Sequence, residues 1–144
     1  QNDEWNESAG LQWYLTEFDE HQGVAKFVSD LNAMYRRLPA LWALDVKPEG
    51  FSWLIGDDGA ANILAFVRRG GAGNEVISIT NYSPTPHEYY DAPFPRPGTW
   101  HEILNSDDVA YGGSGVTNSD IVVGEDCRAQ LRIPPLATVW LQRS

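Results

Sequence analysis

Residues 75–82 form the stretch that most narrowly limits what this chain can fold into. A glycine-rich turn at residues 70–74 precedes them, and Pro84 and Pro86 follow them. The stretch is rich in β-branched and aromatic residues, which is typical of a strand. A second apolar stretch, residues 62–69, lies just upstream across the turn. The sequence therefore predicts an antiparallel hairpin near the centre of a sheet.

From Asp45 onward, short apolar runs alternate with turn residues. The predicted strands are residues 51–55, 63–68, 76–82, 99–104, 121–123, 128–133 and 138–141. Residues 57–59 form a turn of the hairpin type, and three prolines between residues 93 and 97 exclude regular structure before Trp100. Seven short strands separated by turn signals predict a mainly β fold, an antiparallel two-sheet sandwich.

Residues 19–38 carry the strongest helical pattern of the chain. Its apolar stripe consists of Val24, Phe27, Val28, Leu31, Tyr35 and Leu38. Acidic residues at its start and arginines at its end suit the helix dipole. Pro39 ends the helix, because the residue before a proline is disfavoured in the α conformation. Residues 39–44 predict one further short helical segment with proline in its first turn.

Charge and composition restrict the partners and the compartment. Ten basic and twenty acidic residues give a net charge of −10, which argues against nucleic acid or an anionic membrane as a partner. No apolar run approaches the ~20 residues of a membrane span, and no signal peptide opens the sequence. The single cysteine, Cys127, excludes an internal disulfide. We therefore expect a cytoplasmic chain of one domain, or of one domain plus a short piece of another.

The titratable residues form no pattern typical of catalysis or metal binding. Adjacent carboxylates occur at Asp3-Glu4, Asp57-Asp58 and Asp107-Asp108. The second and third pairs fall in turns, where aspartates cap the local backbone, whereas glycosidic chemistry needs two carboxylates across a cleft. The three histidines lie on different elements without the spacing of zinc ligands. Residues 112–115 lack the lysine of a phosphate loop and are predicted to be a flexible loop. We therefore expect no catalytic residue, metal or cofactor.

The tryptophans give the clearest functional signal. They are Trp5, Trp13, Trp42, Trp53, Trp100 and Trp140. Rigid aromatic faces stack on the apolar faces of sugars, and core packing is the alternative for each residue. Trp140, in the last strand, is predicted to be core, whereas Trp53 is as well suited to a surface sugar platform as to the core. Trp5 and Trp13 lie in an irregular segment and are predicted to belong to a site or an interface.

Short blocks in a fixed order span nearly the whole chain. They include Glu4-Trp5-Asn6, Leu11-Gln12-Trp13, His21-Gln22-Gly23-Val24, Glu49-Gly50-Phe51-Ser52-Trp53, Asn81-Tyr82-Ser83-Pro84, Pro97-Gly98-Thr99-Trp100 and Pro134-Pro135-Leu136-Ala137-Thr138. Through these blocks the chain resembles the C-terminal portion of bacterial 1,4-alpha-glucan (glycogen) branching enzymes of the alpha-amylase superfamily. The irregular opening segment likewise leads us to expect that the chain was cut from a longer protein.

The resemblance implies a domain organisation and partners. Residues 1–38 would be the final loop and helix of a catalytic (β/α)8 barrel, and residues 39–144 a C-terminal β-sandwich. Enzymes of this family cleave an alpha-1,4-glucan and transfer the chain to a 6-hydroxyl, using carboxylates upstream on the barrel. The 144-residue chain itself would then be inactive, with alpha-glucan and the barrel as its partners. Trp53, Trp5 and Trp13 become the glucan-binding candidates.

Three alternatives remain open from the sequence. The chain could belong to another alpha-amylase-superfamily enzyme, one that hydrolyses alpha-glucans or makes trehalose. It could be a stand-alone, non-catalytic glycan-binding β-sandwich in which residues 1–38 form a self-packing helix. It could also be a purely structural cap with no affinity for sugar. In the branching-enzyme interpretation, the sandwich could shield an apolar flank of the barrel, with the helix stripe and Trp42 partly in the interface, and this role could coexist with glucan binding.

Overall fold

A computed structural model describes residues 6–144, which form one long helix followed by eight strands. These are α1 (Asp19–Arg37), β1 (Phe51–Asp58), β2 (Ile63–Arg69), β3 (Glu75–Asn81), β4 (His87–Pro93), β5 (Gly98–Asn105), β6 (Ile121–Val123), β7 (Arg128–Ile133) and β8 (Thr138–Arg143). Single 3-10 turns occupy Trp13–Glu17, Pro39–Leu41, Pro48–Gly50 and Val109–Tyr111. No helix among the described residues is long and apolar enough to cross a membrane. The predicted mainly β fold is confirmed.

The strands form two antiparallel sheets. The larger has six strands in the order β1-β2-β3-β8-β5-β6, and the smaller consists of β4 and β7. The predicted hairpin is the pair β2–β3, whose register runs without interruption from Ile63 opposite Asn81 to Arg69 opposite Glu75. Gly71 and Gly73 take positive φ values in the turn that joins these strands. Strand β3 also pairs with β8, so the hairpin lies near the centre of the sheet, as predicted.

The main core lies between the inner face of the six-stranded sheet and strands β4 and β7. It contains Ile77, Ile79, Trp100, Leu131, Ile133, Val139 and Leu141 among its buried residues. Successive side chains of a strand point to opposite faces, so burial of Val139 and Leu141 turns Trp140 to the outer face. Trp140 is only half-buried there, against a smaller cluster of Leu38, Ala40 and Val76. Trp140, which was predicted to be core, is therefore only partly buried and packs against the smaller cluster, whereas Trp100 is fully buried in the main core.

Strand β4 was not predicted, because its sequence is polar and ends in the proline-rich stretch. Among residues 6–144 it pairs only with β7, and its other edge therefore has no ladder partner within that range. Pro93 occupies its last position, where the missing N–H costs little in an edge strand. Strand β1 is also longer than predicted and includes the first two residues of the predicted turn at 57–59. The reversal of the chain falls instead at residues 59–62, where Asn62 takes a φ of 57°.

Helix α1 ends one residue before the predicted boundary and is fastened to the sandwich at two places. Near its start, a Cβ atom on Gly23 would lie 2.5 Å from the Tyr111 carbonyl oxygen, so only glycine permits this approach. The Phe27 and Tyr111 rings pack with centroids 5.2 Å apart, and the Tyr111 hydroxyl donates to Asp30 at 2.8 Å. At the other end, Leu38 is buried in the smaller cluster. Of the remaining stripe residues, Leu31 is partly buried, and Val24, Val28 and Tyr35 are exposed.

Residues 112–115, predicted to be a flexible loop, are held together with Val116 around the Asp107 side chain. Its carboxylate accepts hydrogen bonds from the Ser114 N–H at 2.9 Å, the Ser114 hydroxyl at 2.6 Å and the Val116 N–H at 3.1 Å. Burial raises the pKa of Asp107, but these hydrogen bonds outweigh it, so the pKa lies below its usual value. The loop is therefore an organised element, and the expectation of flexibility is corrected.

Candidate functional site

Trp53 presents an exposed aromatic face on the outer side of the six-stranded sheet. It lies opposite Phe66 across the β1–β2 pair, and the two rings pack edge to face at 6.1 Å. Phe51 also packs edge to face against the Trp53 ring, with ring centroids 5.2 Å apart. These two contacts fix the ring while 57% of the residue stays exposed. An immobilised flat ring of this kind suits stacking on a sugar.

A shallow cavity of about 320 Å³ is lined by residues at the end of β1 and in the turn that follows it, and Trp53 is not one of them. Gly56 is one of its lining residues, and a Cβ atom there would lie 3.7 Å from the indole. Asp57 and Tyr82 also line the cavity, and both are exposed. The Asp57 carboxylate can accept hydrogen bonds from hydroxyl groups, and Tyr82 adds a second aromatic surface. Stacking and hydroxyl binding are thus available side by side.

Asp58, the neighbour of Asp57, has a structural role instead. Its carboxylate accepts a hydrogen bond from the Tyr90 hydroxyl at 2.6 Å and another from the Ala61 N–H at 3.0 Å. The Tyr90 bond, and after it the Ala61 bond, hold the pKa of Asp58 below its usual value. Burial raises the pKa of Tyr90, and its bond to the Asp58 carboxylate adds to the rise. Asp58 therefore links the β1–β2 turn to β4 through Tyr90. Of the two carboxylates, Asp57 is the exposed one that a ligand could contact.

The structure does not gather the three predicted tryptophans into one site. Trp13 lies in the 3-10 turn Trp13–Glu17, which packs against α1, and it is 70% exposed. Among residues 6–144, no ring contact joins Trp13 to Trp53. Trp5 lies outside the described residues. Trp53 is consequently the candidate whose surroundings the structure defines best.

A second exposed surface is formed by the segment before the sandwich. Its large exposed side chains, which we call the N-terminal apolar surface, are Leu11, Trp13, Tyr14, Phe18, Val24, Val28, Tyr35 and Trp42. Val24 and Val28 belong to the predicted helix stripe and are 62% and 48% exposed. Large exposed apolar surfaces are typical of contacts with another protein part. That the helix stripe and Trp42 belong partly to an interface stays a prediction.

The three histidines form no common site. His101, however, belongs to a hydrogen-bond network of three side chains that the sequence analysis did not identify. Its Nδ1 lies 2.7 Å from an Asp120 oxygen, and its Nε2 contacts the Ser144 hydroxyl. The order Asp–His–Ser is that of hydrolytic triads, which also need donors for an oxyanion. The Ser144 N–H here donates to the Thr99 carbonyl oxygen, so the group fastens the end of β8 to β5. Within residues 6–144, no cluster of three His, Cys, Asp or Glu could hold a metal ion.

The structure thus defines an antiparallel β domain preceded by a helix with exposed apolar side chains. Residues 53–144 match the family described as "Alpha amylase, C-terminal all-beta domain". The chain belongs to this family.

Similar curated proteins carry the name 1,4-alpha-glucan branching enzyme GlgB. The protein from Mesorhizobium japonicum is 43% identical over 146 residues, and those from Thermobifida fusca and Novosphingobium aromaticivorans are 42% and 43% identical over 149 and 142 residues. These alignments cover 99%, 98% and 99% of this chain and 20% of each relative. The chain thus spans about a fifth of the length of these relatives. An alpha-amylase structure from H. orenii superposes with a TM-score of 0.46 at 15% identity, over 77% of this chain and 18% of that one.

Proposed function

We propose that this chain is the C-terminal, non-catalytic portion of a 1,4-alpha-glucan branching enzyme. The whole enzyme would cleave an alpha-1,4-glucan and transfer the freed chain to a 6-hydroxyl, which creates an alpha-1,6 branch. Identity of 43% over nearly the whole chain supports this choice over other enzymes of the alpha-amylase superfamily. The catalytic carboxylates would lie in the upstream barrel. A cytoplasmic location is part of the proposal, supported by the lone cysteine, Cys127.

The N-terminal apolar surface is the observation that supports a role beside the barrel. In this proposal, residues 1–38 complete the barrel and residues 39–144 form the sandwich that supports it. The stripe of α1 would then turn Val24 and Val28 towards the barrel, while Gly23 and Phe27 hold the helix against Tyr111. Burial of exposed valine side chains supplies about 25 cal/mol per Å² of apolar area, so docking would be driven mainly by the hydrophobic effect.

The Trp53 platform is proposed to hold alpha-glucan on the surface. A polymeric substrate held there stays near the active site of the same protein, which raises its local concentration. The fixed indole, the exposed Asp57 carboxylate and Tyr82 support this role. Trp13, which is 70% exposed, remains a further candidate.

Affinity electrophoresis in gels containing glycogen tests the platform. We expect glycogen to retard the 144-residue chain, and Trp53→Ala to abolish most of the retardation. Trp42→Ala is the matched control, because it removes another exposed tryptophan from a different surface and should migrate like the parent chain. Circular dichroism verifies that each variant is folded. Equal retardation of the parent and Trp53→Ala would refute the platform, and absence of retardation would favour the structural cap.

A further inference from the structure

A larger groove, of about 690 Å³, lies between strand β7 and the segment that leads into β6. We call it the β6–β7 groove and define it by Tyr89, Thr117, Ser119, Val122, Gln130 and Arg132. It is separate from the Trp53 platform, since Trp53 is on the outer face of the six-stranded sheet and β7 belongs to the sheet packed on the inner face. Its volume lies within the range of about 300–1,000 Å³ that is typical of small-molecule sites.

The groove lies between the segment that leads into β6 and the edge of β7, which are close together at one end and diverge from there. Asn118 joins them: its side-chain N–H donates to the Arg132 carbonyl oxygen at 2.9 Å, and its side-chain oxygen accepts from the Arg132 N–H at 2.7 Å. Beyond Asn118 the two strands belong to different sheets. In the described part of the chain, β6 pairs only with β5 and β7 only with β4. Backbone polar groups alternate in direction along a strand, so those of Gln130 point to the same side as those of Arg132. The groove therefore offers a backbone donor and acceptor.

Tyr89 lines the groove as the result of a β-bulge in β4. The register of β4 and β7 passes from His87 opposite Ile133 to Tyr90 opposite Leu131, so two residues of β4 face the single residue Arg132. A bulge of this kind redirects a side chain that regular pairing would place elsewhere. Tyr89 is consequently 82% exposed and lines the groove, whereas Tyr90 next to it points inward and packs against the core.

The chemistry of the groove suits a neutral ligand rich in hydroxyl groups. Its charged rim residues have partners: Arg132 forms an ion pair with Glu88 at 2.9 Å, and the Asp120 carboxylate lies 2.7 Å from Nδ1 of His101. The side chains of Thr117, Ser119 and Gln130 make no hydrogen bond within residues 6–144 and are exposed. Amide and hydroxyl groups can both donate to and accept from sugar hydroxyls, and an exposed tyrosine ring can stack on a sugar face.

We propose that the β6–β7 groove is a second alpha-glucan site, in which Tyr89 stacks on a glucose unit and Gln130 binds its hydroxyls. The choice of alpha-glucan rests on the proposed function, whereas the class of a neutral oligosaccharide rests on the groove itself. A peptide strand added to the free edges is the competing occupant. It is disfavoured because β6 has only three residues, and so short an edge offers few ladder hydrogen bonds.

Amide spectra of the ¹⁵N-labelled 144-residue chain, titrated with maltoheptaose, distinguish the two sites. The amides of Ser119, Val122 and Gln130 report on the groove, and the indole N–H of Trp53 reports on the platform. We expect both sets to shift. Tyr89→Ala should weaken the binding seen at Gln130 roughly tenfold, a change of about 1.4 kcal/mol, and leave the Trp53 titration unchanged. Tyr89→Phe, which keeps the ring, should retain most of the affinity.

Tyr14→Ala is the matched control, since it removes another exposed tyrosine without touching the groove. Shifts at Gln130 that persist with equal affinity in Tyr89→Ala would overturn the groove proposal, as would shifts confined to Trp53. Shifts at Gln130 without any at Trp53 would keep the groove and refute the platform. If a β-forming peptide of alternating valine and threonine shifts these amides and maltoheptaose does not, the groove binds a strand and the proposal fails.

Discussion

The β-sandwich and the segment before it contain similar apolar residues but use them in opposite ways. Val139 of β8 is fully buried between two sheets, whereas Val28 of α1 is 48% exposed. The sandwich therefore completes its own core, whereas many large apolar side chains of residues 11–46 stay exposed and Leu38 and Ala40 are buried. Helices in proteins are stabilised mainly by packing of their apolar face, and Val24, Val28 and Tyr35 of α1 are exposed in the part of the chain that the structure describes. The difference suggests one part built to be stable by itself and another built to be covered.

The largest effect should come from the centre of the closed part. Trp100→Ala should lower the free energy of unfolding by about 3–5 kcal/mol, because it leaves a cavity beside Phe94 and removes a fully buried ring. Urea denaturation measures this cost. A loss in the free energy of unfolding below about 1 kcal/mol would contradict the comparison, because it would show that Trp100 is not packed in the core of the sandwich.

Asp107 should come next, since its carboxylate holds the loop at residues 112–116. Asp107→Ala should cost about 3 kcal/mol, because three donors lose a charged acceptor. The neighbouring Asp108→Ala removes only a cap on Ala110 and should cost about 1 kcal/mol. The lowered pKa gives a pH signature: the contribution of Asp107 is complete above the unfolded pKa of about 3.9 and is lost as pH falls through the lower folded value. Urea titrations between pH 2 and pH 7 should show the difference from Asp107→Asn shrinking at the acid end.

Trp140→Ala should have an intermediate effect of roughly 2 kcal/mol, because the ring is half-buried against the small cluster. This variant sharpens the comparison, since Trp140 lies where the sandwich meets the preceding segment. Chemical denaturation of Trp100→Ala and Trp140→Ala under the same conditions gives the ranking. A cost for Trp140→Ala equal to that of Trp100→Ala would mean that the outer face is as well packed as the core.

The smallest effect is expected for the open stripe. Val28→Ser in the 144-residue chain should change stability by less than about 0.5 kcal/mol, because serine and valine have similar helix propensities and the site is exposed. Val139→Ser is the matched substitution in the core, and it should cost several times as much. Thermal unfolding monitored by circular dichroism compares the two variants. Similar losses would contradict the distinction between a closed and an open part.

The parts of the fold that could be predicted depend on local signals. The β2–β3 hairpin and helix α1 follow from periodicity together with nearby glycine and proline residues. Strand β4 could not be predicted, because His87 and Glu88 make it polar and its pairing with β7 joins segments far apart in the sequence. Trp140 was predicted to be core, but it lies partly buried on the outer face of the sheet for a related reason. Alternation gives the two faces of a strand, but only the second sheet decides which face becomes the core.

The candidate site shows the same limit. The sequence identified Trp53 and its acidic turn, but it treated Asp57 and Asp58 alike. Their roles differ because the hydroxyl of Tyr90, 32 residues away, donates a hydrogen bond to the Asp58 carboxylate. The bulge that exposes Tyr89 depends on its register with β7, so no local signal reveals it. Trp5 and Trp13 remain predictions.

The central claim, that the open part docks on a catalytic barrel, is tested most directly by a chimera. In the branching enzyme of Mesorhizobium japonicum, the segment that matches this chain is replaced by the chain itself, and alpha-1,6 linkages formed on amylose are measured. We expect the chimera to branch amylose, the double substitution Val24→Asp and Val28→Asp to remove most of the activity, and Leu136→Asp, at an exposed turn of the sandwich, to leave it unchanged. Full branching activity in the Val24→Asp and Val28→Asp chimera would contradict the account.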